Sequence, residues 1–361
     1  MTLLVLAVFF SYLLYVFGYR GKAEPPAQVS YTTWNPVRYQ TAEDFRSSIP
    51  KYYELDRLAF EGRENEKQYG TYVIPGLKST RTLSLSDETS VDSCCSMTPQ
   101  GIAVTGRYVM ITAYCRAGKH NSVIYLLNKK THRYIKQIVL PGRPHAGGIA
   151  YDPEHDRIWY SSHDLGIAQA VSIRMEDLEN YRFERDPYPI ATDSYYLYGV
   201  IRDSFLTVHD GYLYVGYYAG TEEGTLVAYE ILPEGGLNRP DQGDLNLSME
   251  VSMVIPAESG ILPSCVQGIA FYGDLMIASQ SYGLAPSKLI VLPVSRKMEY
   301  PEEKILQEYV MPERMEQICI DGDQLYVIFE SGAYAYRSSS FHIMDRALKI
   351  NMKKVLEDME Q

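Results

Sequence analysis

Short apolar strands separated by polar turns recur along the chain from residue 100 onward. Five segments share one plan, in which an apolar strand, a tight turn containing glycine or aspartate, and a second apolar strand follow one another. They are 100–114 (QGIAVTGRYVMITAY), 147–163 (GGIAYDPEHDRIWYSSH), 204–218 (SFLTVHDGYLYVGYY), 267–281 (QGIAFYGDLMIASQS) and 317–331 (QICIDGDQLYVIFES). Glycine and aspartate in the turns permit the backbone angles that tight hairpins need. The pattern therefore predicts five antiparallel hairpins.

Two further strands follow most of these hairpins. In the first repeat they are 122–128 (SVIYLLN) and 134–141 (YIKQIVLP), and later third strands are 225–232 (TLVAYEIL) and 288–294 (KLIVLPV). Each unit is then a four-stranded antiparallel sheet of about 45 to 60 residues, which is typical of a β-propeller blade. We therefore predict an all-β fold, a propeller of five blades, with six blades as the alternative.

The two ends of the chain set the domain boundaries. The strand-like stretch 71–85 either completes the last blade and closes the ring or belongs to a sixth blade. We assign the propeller to residues 71–345 and a partly helical tail outside the ring to residues 346–361. Residues 23–70 are assigned to a linker and N-terminal extension, in which one or two short helices are expected.

The N-terminal segment is strongly apolar. Residues 2–18 (TLLVLAVFFSYLLYVFG) carry no charge over 17 positions, which is at the low end of the length that spans a bilayer as a helix. We interpret residues 1–22 as an uncleaved membrane anchor, with a cleaved signal peptide or a buried core segment as the alternatives. Arg20 and Lys22 favour the cytoplasm for the side that follows the apolar run, whereas the five cysteines and the type of propeller favour the outside. The prediction is a single-pass cell-membrane protein with its propeller outside the cytoplasm, or alternatively a secreted one.

The net charge and the amino-acid composition indicate which classes of partner are compatible with this chain. A net charge of −11 repels phosphate backbones, so no nucleic acid is expected as a partner. The same charge is compatible with a neutral or cationic ligand. The 32 tyrosines fit half-buried strands, with an aromatic groove for carbohydrate as the sharper interpretation.

One region resembles a known repeat. Residues 121–162 (NSVIYLLNKKTHRYIKQIVLPGRPHAGGIAYDPEHDRIWYSS) combine a strand, a threonine-containing turn, a second strand, the Gly-Ile-Ala element and a closing strand. This order is similar to the YVTN-type repeat of bacterial surface and periplasmic propellers. The other repeats keep mainly the Gly-Ile-Ala element and the turn. The resemblance implies a surface or periplasmic propeller, and more distantly related propellers include lactonases and strictosidine-synthase-like hydrolases.

Residues near the axis at one end of the ring form the candidate ligand-binding site. Strand direction alternates within a blade, so the starts of first strands and the ends of second strands emerge on one face of the disc. Because ring closure makes neighbours of residues far apart in sequence, we expect one shared surface there. Its predicted residues are Gln100, Tyr114, His145, His163, Tyr218, Gln267, Gln280, Gln317 and Glu330. Polar residues that only satisfy backbone groups at the channel are the alternative interpretation.

The cysteines of the first repeat are expected to approach one another. Cys94 and Cys95 precede its first strand, and Cys115 ends the antiparallel neighbour. A disulfide from Cys115 to Cys95, or to Cys94, is geometrically reasonable. A vicinal Cys94–Cys95 bond and five reduced cysteines are the alternatives, and Cys319 is interpreted as a buried free thiol.

The remaining histidines and a glycine pair have simpler interpretations. His120, His132, His155 and His209 lie on predicted turns and are interpreted as solvated surface residues. The pair 147–148 (GG) falls at the Gly-Ile-Ala element, so we interpret it as close packing near the axis. No metal ligands are assigned.

Two classes of function remain. The first is a binding or scaffolding module for a protein, peptide or glycan, which needs no cofactor. The second is a hydrolase or lyase of the lactonase or strictosidine-synthase-like type, which would hold a divalent cation near the axis by oxygen ligands. The starts of the inner strands lack the Glu, Asn and Asp set that such lactonases use, and the catalytic residues are not identified. The sequence contains no G-x-S-x-G, H-E-x-x-H, Walker or dinucleotide motif.

Overall fold

The computed structural model describes residues 37–49, 53–87, 90–238 and 253–360. The predicted N-terminal hydrophobic helix lies outside these ranges. In the part of the chain that the structure describes, no helix is both long enough and apolar enough to cross a membrane. Five sheets form a ring whose inner strands contact one another all the way round, so the predicted all-β propeller of five blades is confirmed.

The strands are numbered along the chain, and the first three precede the first predicted hairpin. They are β1 (Tyr72–Val73), β2 (Thr80–Leu83) and β3 (Val91–Cys94). Blade 1 contains, from the axis outward, β4 (Met97–Val104), β5 (Tyr108–Cys115), β6 (Val123–Asn128) and β7 (Tyr134–Val139). Blade 2 contains β8 (Ile149–Asp152), β9 (Arg157–Asp164), β10 (Ile167–Arg174) and β11 (Asp193–Leu197).

The next two blades repeat the same order. Blade 3 contains β12 (Phe205–His209), β13 (Tyr212–Tyr217), β14 (Gly224–Glu230) and β16 (Glu258–Leu262). The short strand β15 (Met253–Val254) instead pairs in parallel with β11 at the outer edge of blade 2. Blade 4 contains β17 (Val266–Tyr272), β18 (Leu275–Gln280), β19 (Ser287–Pro293) and β20 (Gln307–Met311).

The fifth blade is assembled from both ends of the described chain. It contains β21 (Met315–Asp321), β22 (Gln324–Phe329), β23 (Arg346–Asn351) and β1. Strand β1 is antiparallel to β23, with Tyr72 opposite Ala347. The Tyr72 hydroxyl donates to the Lys129 carbonyl at 2.8 Å, which ties the closing strand to blade 1. Residues 72–73 of the stretch 71–85 therefore complete blade 5 and close the ring, whereas residues 80–83 pair with β3 in a separate two-stranded hairpin and do not form a sixth blade. Closure removes a long free sheet edge.

The boundary of the C-terminal tail differs from the prediction. We expected residues 346–361 to lie outside the ring, but β23 at its start is the third strand of blade 5. Four of its six residues are buried, because both of its neighbouring strands belong to the same sheet. A 16-residue connection, residues 330–345, separates it from β22 and obscures the repeat spacing. Only the helix after it matches the expected tail.

Short helices lie around the ring. They are α1 (Ala42–Ser47), α2 (Tyr53–Ala59), α3 (Met175–Asn180), α4 (Tyr334–Arg337) and α5 (Met352–Met359), with 3₁₀ turns at Lys67–Gly70 and Glu302–Lys304. Helix α1 begins after Thr41, whose side chain accepts from the Asp44 amide. Phe45, Leu58 and Phe60 are buried in the same hydrophobic cluster as residues of blades 4 and 5. Helices α1 and α2 of the N-terminal extension are thus packed against the propeller.

The axis of the ring is filled by one glutamine side chain. The Gln317 Oε1 atom accepts from the amides of Ile102 at 3.0 Å and Ile149 at 2.9 Å. Its Nε2 atom donates to the carbonyls of Ile149 at 2.9 Å and Leu206 at 2.7 Å. Gln317 is 1% exposed and so joins the inner strands of blades 5, 1, 2 and 3 without solvent. Glycine at position 148 permits this approach, as predicted for the glycine pair, because a Cβ atom there would lie 2.2 Å from the Leu206 amide nitrogen.

Three inner strands carry a bulge at the same point. The register shifts between Pro99 and Ile102 in blade 1, between Val266 and Gly268 in blade 4, and between Met315 and Ile318 in blade 5. The extra residues in these bulges include the three glutamines that the repeats place at the strand starts, namely Gln100, Gln267 and Gln317. Bulges redirect side chains out of the regular pleat. They explain how residues of similar position come to face different surroundings.

Candidate functional site

Aromatic and charged side chains of blades 5, 1 and 2 meet at one end of the channel. The centroid of the Tyr114 ring lies 4.4 Å from that of the His145 ring, and the Tyr114 hydroxyl hydrogen-bonds Tyr336. The Arg314 guanidinium lies 4.2 Å above the Tyr336 ring and donates to Glu330 Oε1 at 3.2 Å. The structure therefore places His145 and Glu330 at the same end of the channel, as the repeat register predicts.

Two buried carboxyl groups complete this group. Gln100 Nε2 donates to Glu330 Oε2 at 3.1 Å, and Glu316 lies beside Glu330 and is 7% exposed. Burial raises the pKa of Glu330 to about 7, although Arg314 and Gln100 counteract it. Burial, and then the charge of Glu330, raise the pKa of Glu316 well above its usual range. The Arg116 guanidinium lies 6.0 Å from the centroid of the Tyr336 ring and hydrogen-bonds Tyr114. We call this set the axial cluster: Gln100, Tyr114, Arg116, His145, Arg314, Glu316, Glu330 and Tyr336.

Both predicted histidines are held neutral. Enclosure by protein, followed by the effects of His163 and Arg116, lowers the pKa of His145 to about 4. Burial, followed by Arg202, lowers the pKa of His163. Both rings keep exposed surface, so water at the channel mouth moderates the effect without reversing its direction. At neutral pH each imidazole can donate one hydrogen bond and accept another.

Four guanidinium groups lie among the carboxyl groups at this end of the channel. Those of Arg116, Arg143, Arg202 and Arg314 act on the axial cluster or on His163. The carboxyl groups there are those of Asp164, Asp203, Glu316 and Glu330. Burial raises the pKa of Asp203 and of Glu316 well above the usual range, which disfavours their negative charge, and Asp203 Oδ2 accepts from the Ser162 amide.

The predicted residues of blades 3 and 4 line the other side of the same end. The Tyr218 hydroxyl donates to the Ser281 carbonyl at 3.4 Å. Burial, followed by Cys265 and with Glu316 contributing, raises the pKa of Tyr218. Gln280 Nε2 donates to the Ser264 carbonyl at 2.8 Å, and Gln267 is half-buried in the bulge of β17. Tyr218 thus faces the axial cluster, whereas the Gln280 amide bonds to its own blade.

Gln317 has a structural role that the sequence did not distinguish. Its side-chain amide makes four hydrogen bonds, two accepted by Oε1 and two donated by Nε2. All four partners are backbone groups of three other blades. It lies beneath the axial cluster and does not offer a free polar atom to a ligand. Of the nine predicted residues, we therefore retain Gln100, Tyr114, His145, His163, Tyr218, Gln267, Gln280 and Glu330 as the candidate surface.

Four members of the axial cluster are absent from the nine predicted residues. Glu316 directly precedes the predicted Gln317 in β21, and Arg314 directly precedes that strand. Arg116 follows the end of β5, and Tyr336 belongs to α4 in the long connection before β23. Arg116 lies two residues after Tyr114, and Arg314 lies three residues before Gln317. A candidate set that extended three residues beyond each strand end would therefore have included both arginines. Nothing in the repeat pattern points to Tyr336.

A second group of reactive side chains lies behind β5. Cys94, Cys115 and His120 are buried, and their ligand atoms lie within 4.8 Å of one another. Cys115 Sγ is 3.3 Å from His120 Nδ1, and His120 Nε2 is 3.1 Å from Asp92 Oδ2. We call these four residues the thiol cluster. His120 was expected on the surface, but it is only 7% exposed because the β2–β3 hairpin covers it.

The thiol cluster also shows which cysteine lies next to Cys115. Cys94 and Cys115 are free thiols, and the sulfur that approaches Cys115 belongs to Cys94, not to Cys95. Cys94 pairs with Thr80 in the β2–β3 hairpin and points inward, so the side chain of Cys95 is directed away. The hydrogen bonds from Cys94 and then His120 lower the pKa of Cys115. The hydrogen bonds from Cys115 and then Asp92 raise the pKa of His120.

No family model matches this chain, and no curated protein matches it. Among solved structures it is similar to hydrazine synthase from Kuenenia stuttgartiensis, at 9% identity over 64% of this chain and 55% of that chain, with a TM-score of 0.34. It is similar to TolB from Acinetobacter baumannii at 8% identity over 78% of this chain and 63% of that chain, with a TM-score of 0.34. It is also similar to U3-55K at 9% identity over 70% and 80% of the two chains, with a TM-score of 0.36. The matched region thus spans less than two thirds of the first two proteins, and similarity at this level carries no argument about function.

Proposed function

We propose that this propeller is a binding module whose axial end recognises an anionic group of a protein, peptide or glycan. The observation that carries the proposal is the grouping of four guanidinium groups, those of Arg116, Arg143, Arg202 and Arg314, at one end of the channel in a chain of net charge −11. Arginine presents a planar fork of donors that matches carboxylate and other oxyanions. The tyrosine and histidine rings beside it add flat surface and further hydrogen-bonding atoms.

The arrangement of charges favours binding over the hydrolase alternative. An enzyme of the lactonase type would need carboxylates free to hold a divalent cation near the axis. Of the two carboxyl groups in the axial cluster, Glu330 is already paired with Arg314 at 3.2 Å. Burial raises the pKa of Glu316 well above its usual range, which disfavours its charged, metal-binding form. A cation at this point would compete with the Arg314 guanidinium for Glu330.

The proposal is tested by screening the full chain in detergent against arrays of anionic and neutral oligosaccharides and peptides. We expect binders to carry a carboxylate, sulfate or phosphate. Arg116→Ala should weaken the binding of such a probe by about 10- to 100-fold through loss of a charge-assisted hydrogen bond, and His145→Ala should weaken it with little change in melting temperature. Arg185→Ala is the matched control, because Arg185 is exposed and bonds to Asp186 at 2.6 Å on an outer loop. A binder that is neutral, or an affinity unchanged by Arg116→Ala, contradicts the proposal.

The same titrations should depend on pH. Because the pKa of Glu330 is raised to about 7, this group gains negative charge as the pH rises through about 7, and anion binding should weaken there. Between the ordinary carboxyl pKa and about 7, Glu330 holds a proton in the native state that it has released in the unfolded state. The resulting stabilisation of the native state is complete below the ordinary carboxyl pKa and is lost as the pH rises through about 7. Glu330→Gln should flatten both profiles. Unchanged profiles in this variant would assign the pH dependence to another group.

We further propose that the module is tethered to the cell membrane by residues 2–18, with the propeller outside the cytoplasm. The uncharged run of 17 residues and the YVTN-type resemblance of residues 121–162 support this proposal. We expect the full chain in the membrane fraction, resistant to carbonate washing, and a variant lacking residues 1–22 in the soluble fraction. Full-length, uncleaved protein in the soluble fraction without detergent would argue against the tether. Protease accessibility of the propeller in intact cells tests its side of the membrane.

A further inference from the structure

Three separate pieces of chain meet at the thiol cluster. Cys94 ends β3, Cys115 ends β5, and His120 follows a turn in which Gly118 has a φ of +71°. The β2–β3 hairpin is bonded to this turn by an isolated bridge between Ser84 and His120. The ligand atoms therefore converge from a hairpin, a blade strand and a loop, and their position is fixed by backbone pairing.

The inner surroundings of the thiols are closed. Cys94 and Cys115 are 0% exposed, and Cys94 Sγ accepts from the Ser96 amide at 3.4 Å. The Ser96 hydroxyl is buried and has no hydrogen-bond partner among the described residues. Buried polar atoms in native proteins are almost always satisfied. The residue that bonds Cys94 Sγ through its amide therefore also carries a buried hydroxyl whose partner is not among the described residues.

We propose that Cys94, Cys115 and His120 bind a zinc ion, with Asp92 orienting the histidine from behind. Two soft thiolates and one imidazole are the donor set that selects zinc among the common divalent metals. Three protein ligands leave the fourth position of a tetrahedral zinc site for a water molecule.

The distances fit this metal. Zinc lies about 2.3 Å from sulfur and about 2.0 Å from nitrogen, so a tetrahedral site holds the two atoms about 3.5 Å apart. Cys115 Sγ and His120 Nδ1 are 3.3 Å apart, close to that value. Cys94 Sγ lies within 4.8 Å of both of these atoms.

The outer neighbour of the histidine has the arrangement that metal-binding imidazoles require. A histidine that binds metal through one ring nitrogen donates from the other to a carboxylate or carbonyl, which fixes its tautomer and orientation. His120 presents Nδ1 to the thiols and Nε2 to Asp92 Oδ2 at 3.1 Å. The Asp92 side chain is largely exposed, so it can hold its charge while the ligands remain buried.

The site lies directly behind the axial cluster. Successive side chains of a strand point to opposite faces, so Tyr114 faces the channel end and Cys115 faces the hairpin. Arg143 Nη1 also donates to the Cys115 carbonyl at 3.4 Å. An ion held by Cys115 therefore fixes the strand end that carries Tyr114, and it anchors the β2–β3 hairpin to blade 1.

The test measures metal on the full chain, purified in detergent under reducing conditions. We expect about one zinc per chain by mass spectrometry after exposure to zinc alone, and near-background zinc in Cys115→Ser and in His120→Asn. Asp92→Asn should keep the site but weaken zinc affinity by about 10- to 100-fold. Cys265→Ser is the matched control, because Cys265 Sγ donates to the Gly220 carbonyl at 3.1 Å and serine preserves this bond; it should bind zinc like the wild type.

A second measurement covers variants that fail to fold. Cobalt added to the metal-free wild-type chain should produce thiolate-to-cobalt charge-transfer absorption in the near ultraviolet, which reports cysteine ligation without any substitution. Wild-type protein that binds neither metal stoichiometrically overturns the proposal. Zinc retained equally by folded Cys115→Ser and His120→Asn also overturns it, as does a Cys94–Cys115 disulfide in the protein as isolated.

Discussion

Replacing Gln317 with alanine is expected to lower the free energy of unfolding by about 4 kcal/mol or more. The side chain satisfies the amides of Ile102 and Ile149 and the carbonyls of Ile149 and Leu206. Truncation leaves these four backbone groups buried at the axis, where each unsatisfied group costs about 1–3 kcal/mol. The cavity left by the amide adds to this cost. Urea unfolding of the full chain, followed by circular dichroism, measures the change.

Two further variants separate this explanation from simple loss of volume. Gln317→Glu keeps the size and two acceptor oxygens, but it cannot donate to the two carbonyls and brings a charge to the axis, so it should be strongly destabilising as well. Gln280→Ala is the matched control, because Gln280 is half-buried and makes one bond to the Ser264 carbonyl. Its expected cost is about 1 kcal/mol. Equal effects at positions 317 and 280 would show that the axial hydrogen bonds do not hold the blades together.

The three glutamines at the strand starts explain why the fold could be predicted more fully than the site. The hairpin repeat is a local pattern, and it placed the inner and second strands of all five blades. Gln100, Gln267 and Gln317 occupy the same place in that pattern. Only in the closed ring does Gln317 reach the axis while Gln100 turns to Glu330. A periodic pattern predicts which residues occupy equivalent positions in the repeats. It does not predict which of them reaches the axis of the ring, where there is room for only one of the three side chains.

The thiol cluster illustrates a different limit of the sequence. The spacing of Cys115 and His120, with Cys94 upstream, is visible in the chain and is compatible with metal ligation. His120 was nevertheless interpreted as a surface residue because it lies on a turn. Its burial depends on the β2–β3 hairpin, which lies outside the blade repeats and packs over the turn. Turn position predicts exposure only where no other segment covers the turn.

The inner strands of blades 2 and 3 are so close at the axis that there is no space for a side chain at Gly148. Gly148 begins the inner strand region of blade 2 and faces the backbone of blade 3. A Cβ atom at this position would lie 2.2 Å from the Leu206 amide nitrogen and 2.7 Å from the Phe205 carbonyl carbon. Both are backbone atoms, so no side-chain rotation can relieve the overlap. The two inner strands would have to move apart, and the bond from Gln317 to the Leu206 carbonyl would lengthen with them.

Gly148→Ala is therefore expected to destabilise the propeller by about 3 kcal/mol or more, at the upper end of what overpacking costs. Gly106→Ala is the matched control, since Gly106 lies in the turn between β4 and β5 and a Cβ atom there would have no neighbour within 4 Å. That variant should change the free energy of unfolding by no more than about 0.5 kcal/mol. Urea unfolding midpoints of the two variants, measured in parallel on the full chain, compare their free energies of unfolding. If Gly148→Ala were as stable as Gly106→Ala, blades 2 and 3 could not be in backbone contact at the axis, and the hydrogen bonds assigned to Gln317 would have to be assigned differently.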